Sequence, residues 1–97
     1  MSYFKVILSG RGIDLPFDGA SVIGFFTTRV VRAADLPAAE SQAMELVLSE
    51  WRPGGTYADA NRGSLPALAV EQSFPLGLLV GIFGRKPSGY SFYRHED

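Results

Sequence analysis

The stretch that decides the fold is residues 21–51, SVIGFFTTRVVRAADLPAAESQAMELVLSEW. Its first part, residues 22–33, is crowded with β-branched and aromatic residues. These suit a pleated surface and lose rotamer freedom in a helix. Alternation places Ile23, Phe25, Thr27, Arg29, Val31 and Ala33 on one face of a strand, and Val22, Gly24, Phe26, Thr28, Val30 and Arg32 on the other. Neither set is cleanly polar. Both faces are therefore expected to be covered, one by a helix and the other thinly by loops or by another chain.

The second part reads as that helix. Asp35 is placed to cap it, because its carboxylate can accept from the free N–H groups of the first turn. Pro37 falls in that turn, where a missing donor costs nothing. The helix runs to about Trp51 and is stopped by Arg52, Pro53, Gly54 and Gly55. At 100° per residue, Leu36, Ala39, Ala43, Met44, Leu46, Val47, Leu48 and Trp51 share one broad face. Glu40 projects from within this apolar arc. It is a candidate acid or base if burial raises its pKa. The plainer reading keeps it dipole-stabilised near the helix start, reaching water or pairing with Arg29 or Arg32.

Working outward, residues 2–9 alternate, with Phe4, Val6 and Leu8 on one side and Tyr3, Lys5 and Ile7 on the other, as in a strand with one core face. Residues 10–21 hold Gly10, Gly12, Pro16, Asp18 and Gly19 and are expected to form a loop that returns the chain antiparallel. Gly10-Arg11-Gly12 after a strand is the best phosphate-cradle candidate. Such a loop must open a helix, and here a proline and a strand follow, so a plain connection is preferred. Residues 53–64 read as loop and residues 65–73 as a strand with Leu68 and Val70 inward; Pro66 suits its start. Residues 75–84, PLGLLVGIFG, are expected to be extended and to lie at a subunit contact. Leu76, Leu78, Leu79, Val80, Ile82 and Phe83 are the candidate interface residues. Residues 85–89 form a turn, and residues 90–94 a last strand with Tyr90 and Phe92 on one face.

The expected architecture is a single α+β domain over residues 1–97. It has a mainly antiparallel four- or five-stranded sheet and one amphipathic helix packed on one face, in the order ββαββ(β).

Composition narrows the function. The chain has 97 residues, a net charge of −1 from nine basic and ten acidic side chains, and no cysteine. Disulfides, thiolate metal sites and a cysteine nucleophile are excluded, and a cytoplasmic location fits. No signal-peptide pattern opens the sequence, and residues 72–84 are too short to span a bilayer, so no membrane role is expected. One histidine, His95, and scattered carboxylates supply neither a metal set nor a base for a serine. No catalytic residue, metal or cofactor is assigned.

The tail GYSFYRH (89–95) superficially resembles the aromatic RNA-binding strand of RRM domains. That strand needs a basic residue before the glycine, where Ser88 stands. With a slightly acidic chain, nucleic acid is not expected as a partner.

Two functional readings follow. The leading one is a small self-associating or partner-binding module, a homodimer or a complex with another protein, with no chemistry of its own. The alternative is a small-molecule-binding domain or cofactor-free small enzyme. It would use an aromatic-lined pocket near the helix N-terminus, with Glu40, Arg29, Tyr90 and Phe92 as contacts.

Overall fold

The computed structural model describes residues 1–77 and 89–94. The fold is α+β. The elements are β1 (Ser2–Phe17), β2 (Ala20–Ala33), α1 (Leu36–Trp51), β3 (Ala67–Leu76) and β4 (Tyr90–Arg94). All strand pairs are antiparallel, and the sheet order is β3-β1-β2-β4.

The long β1–β2 hairpin replaces the loop expected over residues 10–21. β1 continues to Phe17, and the chain reverses in the two residues Asp18 and Gly19. Both have positive φ, 53° and 80°. This is the primed geometry whose twist matches a hairpin, and Asp-Gly is among its preferred dipeptides. The glycines that suggested a loop have other uses. Gly12, with φ 91°, lies in a bulge between Arg11 and Leu15. Gly10 stays in the ladder, opposite Phe25. The third strand also starts and ends later than the expected 65–73.

The helix follows its sequence signals. The Asp35 carboxylate accepts from the Ala38 N–H at 2.9 Å, and Pro37 lies in the first turn. The buried stripe is narrower than expected: Ala39, Ala43, Val47 and Trp51, each four residues from the last. Leu46, assigned to the core face by its angle, is 44% exposed. A helix of 16 residues is about 24 Å long, whereas strands of 14 and 16 residues reach about 46–54 Å. The segment after the helix adds to the cover through Tyr57, which stacks on Trp51 and packs against the core, and it is tied to β1 by hydrogen bonds. Ser64 N–H donates to the Gly12 carbonyl at 3.0 Å and Arg62 N–H to that of Asp14 at 2.8 Å. The Asn61 side chain accepts from the Asp14 N–H at 2.9 Å.

The core therefore lies on one side of the sheet. Phe4, Val6, Leu8, Ile13 and Leu15 of β1 meet Val22, Phe25, Val31 and Ala33 of β2 beneath the helix stripe. Residues that pair directly across strands share a face. The opposite face therefore carries Tyr3, Lys5, Ile7, Ser9 and Arg11 of β1, with Phe26, Thr28, Val30 and Arg32 of β2. Phe74 of β3 and Tyr93 of β4 join them. No helix of the described residues lies over this face.

Candidate functional site

Arg29 lies on the core-facing parity of β2, between Thr27 and Val31, and is 6% exposed. A guanidinium there is tolerated only with a counter-charge and good hydrogen bonds. Glu50, in the last turn of α1, supplies both. Its two oxygens accept from Arg29 Nη2 at 3.1 Å and Nη1 at 3.2 Å, a bidentate pair. Arg29 Nε lies 3.3 Å from Thr27 Oγ1, and that hydroxyl donates to the Gly89 carbonyl at 2.8 Å. The Tyr90 hydroxyl donates to Glu50 Oε1, and its ring lies 5.4 Å under the Arg29 guanidinium. The strand order makes this cluster possible: β4 is seated against β2 opposite Thr27, so Tyr90 reaches the end of the helix.

Aromatic rings wall it. Trp51 stacks on Phe25 at 5.4 Å and on Tyr57 at 4.7 Å, while Tyr90 presents its edge to all three. Phe92 stacks on Tyr90 at 5.4 Å.

The electrostatics follow from burial in competition with pairing. Burial works to raise the Glu50 carboxyl, but the hydrogen bonds from Arg29 and Tyr90 and the Arg29 charge overcome it. The group ends below the usual carboxylate value. Burial likewise works to lower Arg29, and the bond to Glu50 and its charge reverse the sign. Burial raises the Tyr90 hydroxyl, and its hydrogen bond to Glu50 adds to this. Tyr57 is raised by burial first and by the Glu50 charge second. At neutral pH the cluster is thus Arg⁺, Glu⁻ and two neutral tyrosines, with the carboxylate accepting three hydrogen bonds. Among the described residues, two buried atoms have no hydrogen-bond partner, Asp14 Oδ1 and Trp51 Nε1.

Of the candidate ligand contacts, Arg29, Tyr90 and Phe92 come together. Glu40 does not join them; it accepts a hydrogen bond from Ser73 Oγ of β3 at 2.5 Å. The polar partner is Glu50, at the other end of the helix. A sequence signal for it exists: Glu50 is seven residues after Ala43, so it projects from the buried stripe, and Arg29 on a core parity calls for a carboxylate. Of the candidate interface residues, Leu76 ends β3, half-buried and opposite Tyr3. Leu78, Leu79, Val80, Ile82 and Phe83 lie outside the described residues.

Two of the surface hollows among the described residues bear on the candidate pocket. One, of about 280 Å³, is lined by Phe26, Thr27, Thr28, Gly89, Tyr90 and Ser91; the other, of about 260 Å³, by Met1, Ser2, Tyr3 and Leu76. Neither is lined by Glu40 or Arg29. No cluster of His, Asp or Glu among the described residues has metal-binding geometry, and no helix there is long and apolar enough to cross a membrane.

The open face has its own order. The Tyr93 ring lies against Gly24, where a Cβ would overlap it, and 5.8 Å from the Phe26 ring. Phe26 is 47% and Phe74 37% exposed, and Lys5 Nζ stands 5.9 Å over the Phe74 ring. Comparison of the chain with protein-family models, with curated proteins and with solved structures finds no match.

Proposed function

We propose that the chain is a small cytoplasmic binding module without catalytic chemistry of its own, which self-associates or takes a partner. The observation that carries this reading is the inequality of the two sheet faces. Helix α1 and the segment after it cover one. Over the other, Phe26 and Phe74 keep 47% and 37% of their surface in contact with water. Apolar surface gains about 25 cal/mol per Å² on leaving water, so a face that keeps aromatic rings exposed is a contact surface in waiting. Leu76, on this same face at the end of β3, supports the reading; Leu78, Leu79, Val80, Ile82 and Phe83 are the other proposed interface residues and lie outside the described part of the chain. The absence of cysteine fits a reducing compartment.

The test is the solution mass by multi-angle light scattering, for wild type and Leu79→Glu. A wild-type dimer that becomes a 10.5 kDa monomer in the variant supports self-association. A wild-type monomer at micromolar concentration removes it.

The alternative, a small-molecule site or cofactor-free enzyme, draws on the cluster of Arg29, Glu50, Tyr90 and Phe92. Its carboxylate side chain is 29% exposed. Trp51, the single tryptophan, would report a ligand there by a change in its fluorescence.

A further inference from the structure

We propose that the open face of the sheet binds single-stranded nucleic acid, with bases stacked on Phe26, Tyr93 and Phe74 and phosphates held by Lys5, Arg11 and Arg32. The inference rests on the reading of this face as the contact surface and names its occupant.

The chain is slightly acidic as a whole, but the fold sorts its charges. Lys5, Arg11 and Arg32 share the open face, by their pairings with Val30, Gly24 and Tyr3. Among the described residues, the carboxylate that joins them is Glu71, which accepts a hydrogen bond from Ser9 Oγ at 2.7 Å. Asp35, Glu40, Glu45 and Glu50 are on the helix or its cap, and Asp18 is in the hairpin turn. Among the described residues, none of Lys5, Arg11 and Arg32 makes an ion pair. A surface of this kind attracts a polyanion.

The rings decide which polyanion. Tyr93 rests on the sheet over Gly24 with Phe26 beside it, and Phe74 is stationed next to Lys5. Every base has a π-face, so stacking on such rings is tolerant of sequence and needs unstacked bases, which a single strand offers and a duplex does not. Phe26 pairs in the ladder with Ser9 through β1, and Phe74 with Lys5. The two aromatic positions are thus about 13 Å apart along the strands and about 10 Å apart across them, a span of a few nucleotides. Ser9, Thr28, Gln72 and Ser91 lie between or beside them and offer donors and acceptors to base edges. A second copy of the chain fits this face poorly. Two such faces brought together would set Lys5, Arg11 and Arg32 of each against those of the other, with one Glu71 apiece to offset them.

The test is fluorescence anisotropy of a labelled oligothymidine about ten nucleotides long, titrated with the full chain at several salt concentrations. Binding is expected, weaker for the matching duplex. Phe26→Ala and Phe74→Ala should each weaken it on the order of tenfold. Lys5→Ala and Arg32→Ala should each reduce the slope of log affinity against log salt by about 0.7. Circular dichroism checks that each variant is folded. Phe26→Leu keeps the apolar bulk but removes the ring, and it should weaken binding as Phe26→Ala does. Absence of binding at about 50 mM salt overturns the proposal, as does binding indifferent to both phenylalanine changes. Anionic vesicles bound where the oligonucleotide is not would overturn it and give the face to lipid. If the oligonucleotide fails while Leu79→Glu dissociates a dimer, this proposal falls and the binding-module reading stands. An oligonucleotide bound by a strict monomer leaves the proposal standing and removes self-association.

Discussion

Each face of the sheet carries a glycine beneath an aromatic ring, and the two pairs differ in what surrounds the ring. On the covered face the Phe25 ring occupies the space where a Cβ of Gly10 would go; on the open face the Tyr93 ring does so over Gly24. Phe25 is fully buried and hemmed in by Trp51, Tyr90 and Phe92. Tyr93 has Phe26 beside it and is half-buried. The covered face is a packed interior in which any displacement is passed to the next ring. The open face is an ordered surface that can yield.

The sharpest break of this contrast is at the charged pair Arg29–Glu50 within the covered face. Glu50→Ala leaves Arg29 buried without a counter-charge, and a loss of about 3 kcal/mol in a denaturant titration is expected. Arg29→Met should cost less, because the Glu50 side chain at 29% exposure can reach water and the methionine fills the space. Equal costs would mean that the pair is no more than a surface salt bridge, as Glu45–Arg52 is, with both partners exposed. The same pair predicts an acid limb. The Glu50 carboxyl sits lower in the folded chain than its ordinary 4.5, so the folded state binds that proton more weakly than the unfolded state. The stabilisation is full above the ordinary value and is lost as pH falls through the lower folded one. Thermal melting should therefore drop more steeply below about pH 4.5 in wild type than in Glu50→Gln.

The glycines come next. Gly10→Ala is expected to cost about 2 kcal/mol, because the Phe25 ring has nowhere to move, and Gly24→Ala about half of that, because Tyr93 can swing outward. Near-equal values would show the open face to be as rigid as the core. Smallest is Phe26→Ala, with a stability change within about 0.5 kcal/mol. A larger loss would mean that Phe26 packs as core does, and would weaken the case for a contact surface.

Much of this fold is legible in the sequence because its signals are local. The cap at Asp35, Pro37 in the first turn and the stop after Trp51 all act within a few residues of where they stand. The alternation of Phe4, Val6 and Leu8 needs no knowledge of partners. The hairpin end is not legible in the sequence because Gly10, Gly12 and Pro16 suggest a loop, while Asp18-Gly19, the actual reversal, is two residues among many turn formers. The sequence reading singles out Glu40 and passes over Glu50, although both project from the apolar stripe; only tertiary structure brings Ser73 to one and Arg29 with Tyr90 to the other.

By itself the sequence determined the α+β class, the helix and its limits, the antiparallel character of the sheet, and the lack of thiol chemistry. Tertiary structure alone decided which charges meet and which are left facing water. Arg29 and Glu50 are 21 residues apart in the chain, and Tyr90 is 40 from Glu50. The net charge of −1 likewise conceals a face bearing Lys5, Arg11 and Arg32. The physical reason is common to both. Periodicity and caps are read out within a turn or two of chain, whereas strand register selects partners across the whole domain, and a sum over composition carries no direction in space.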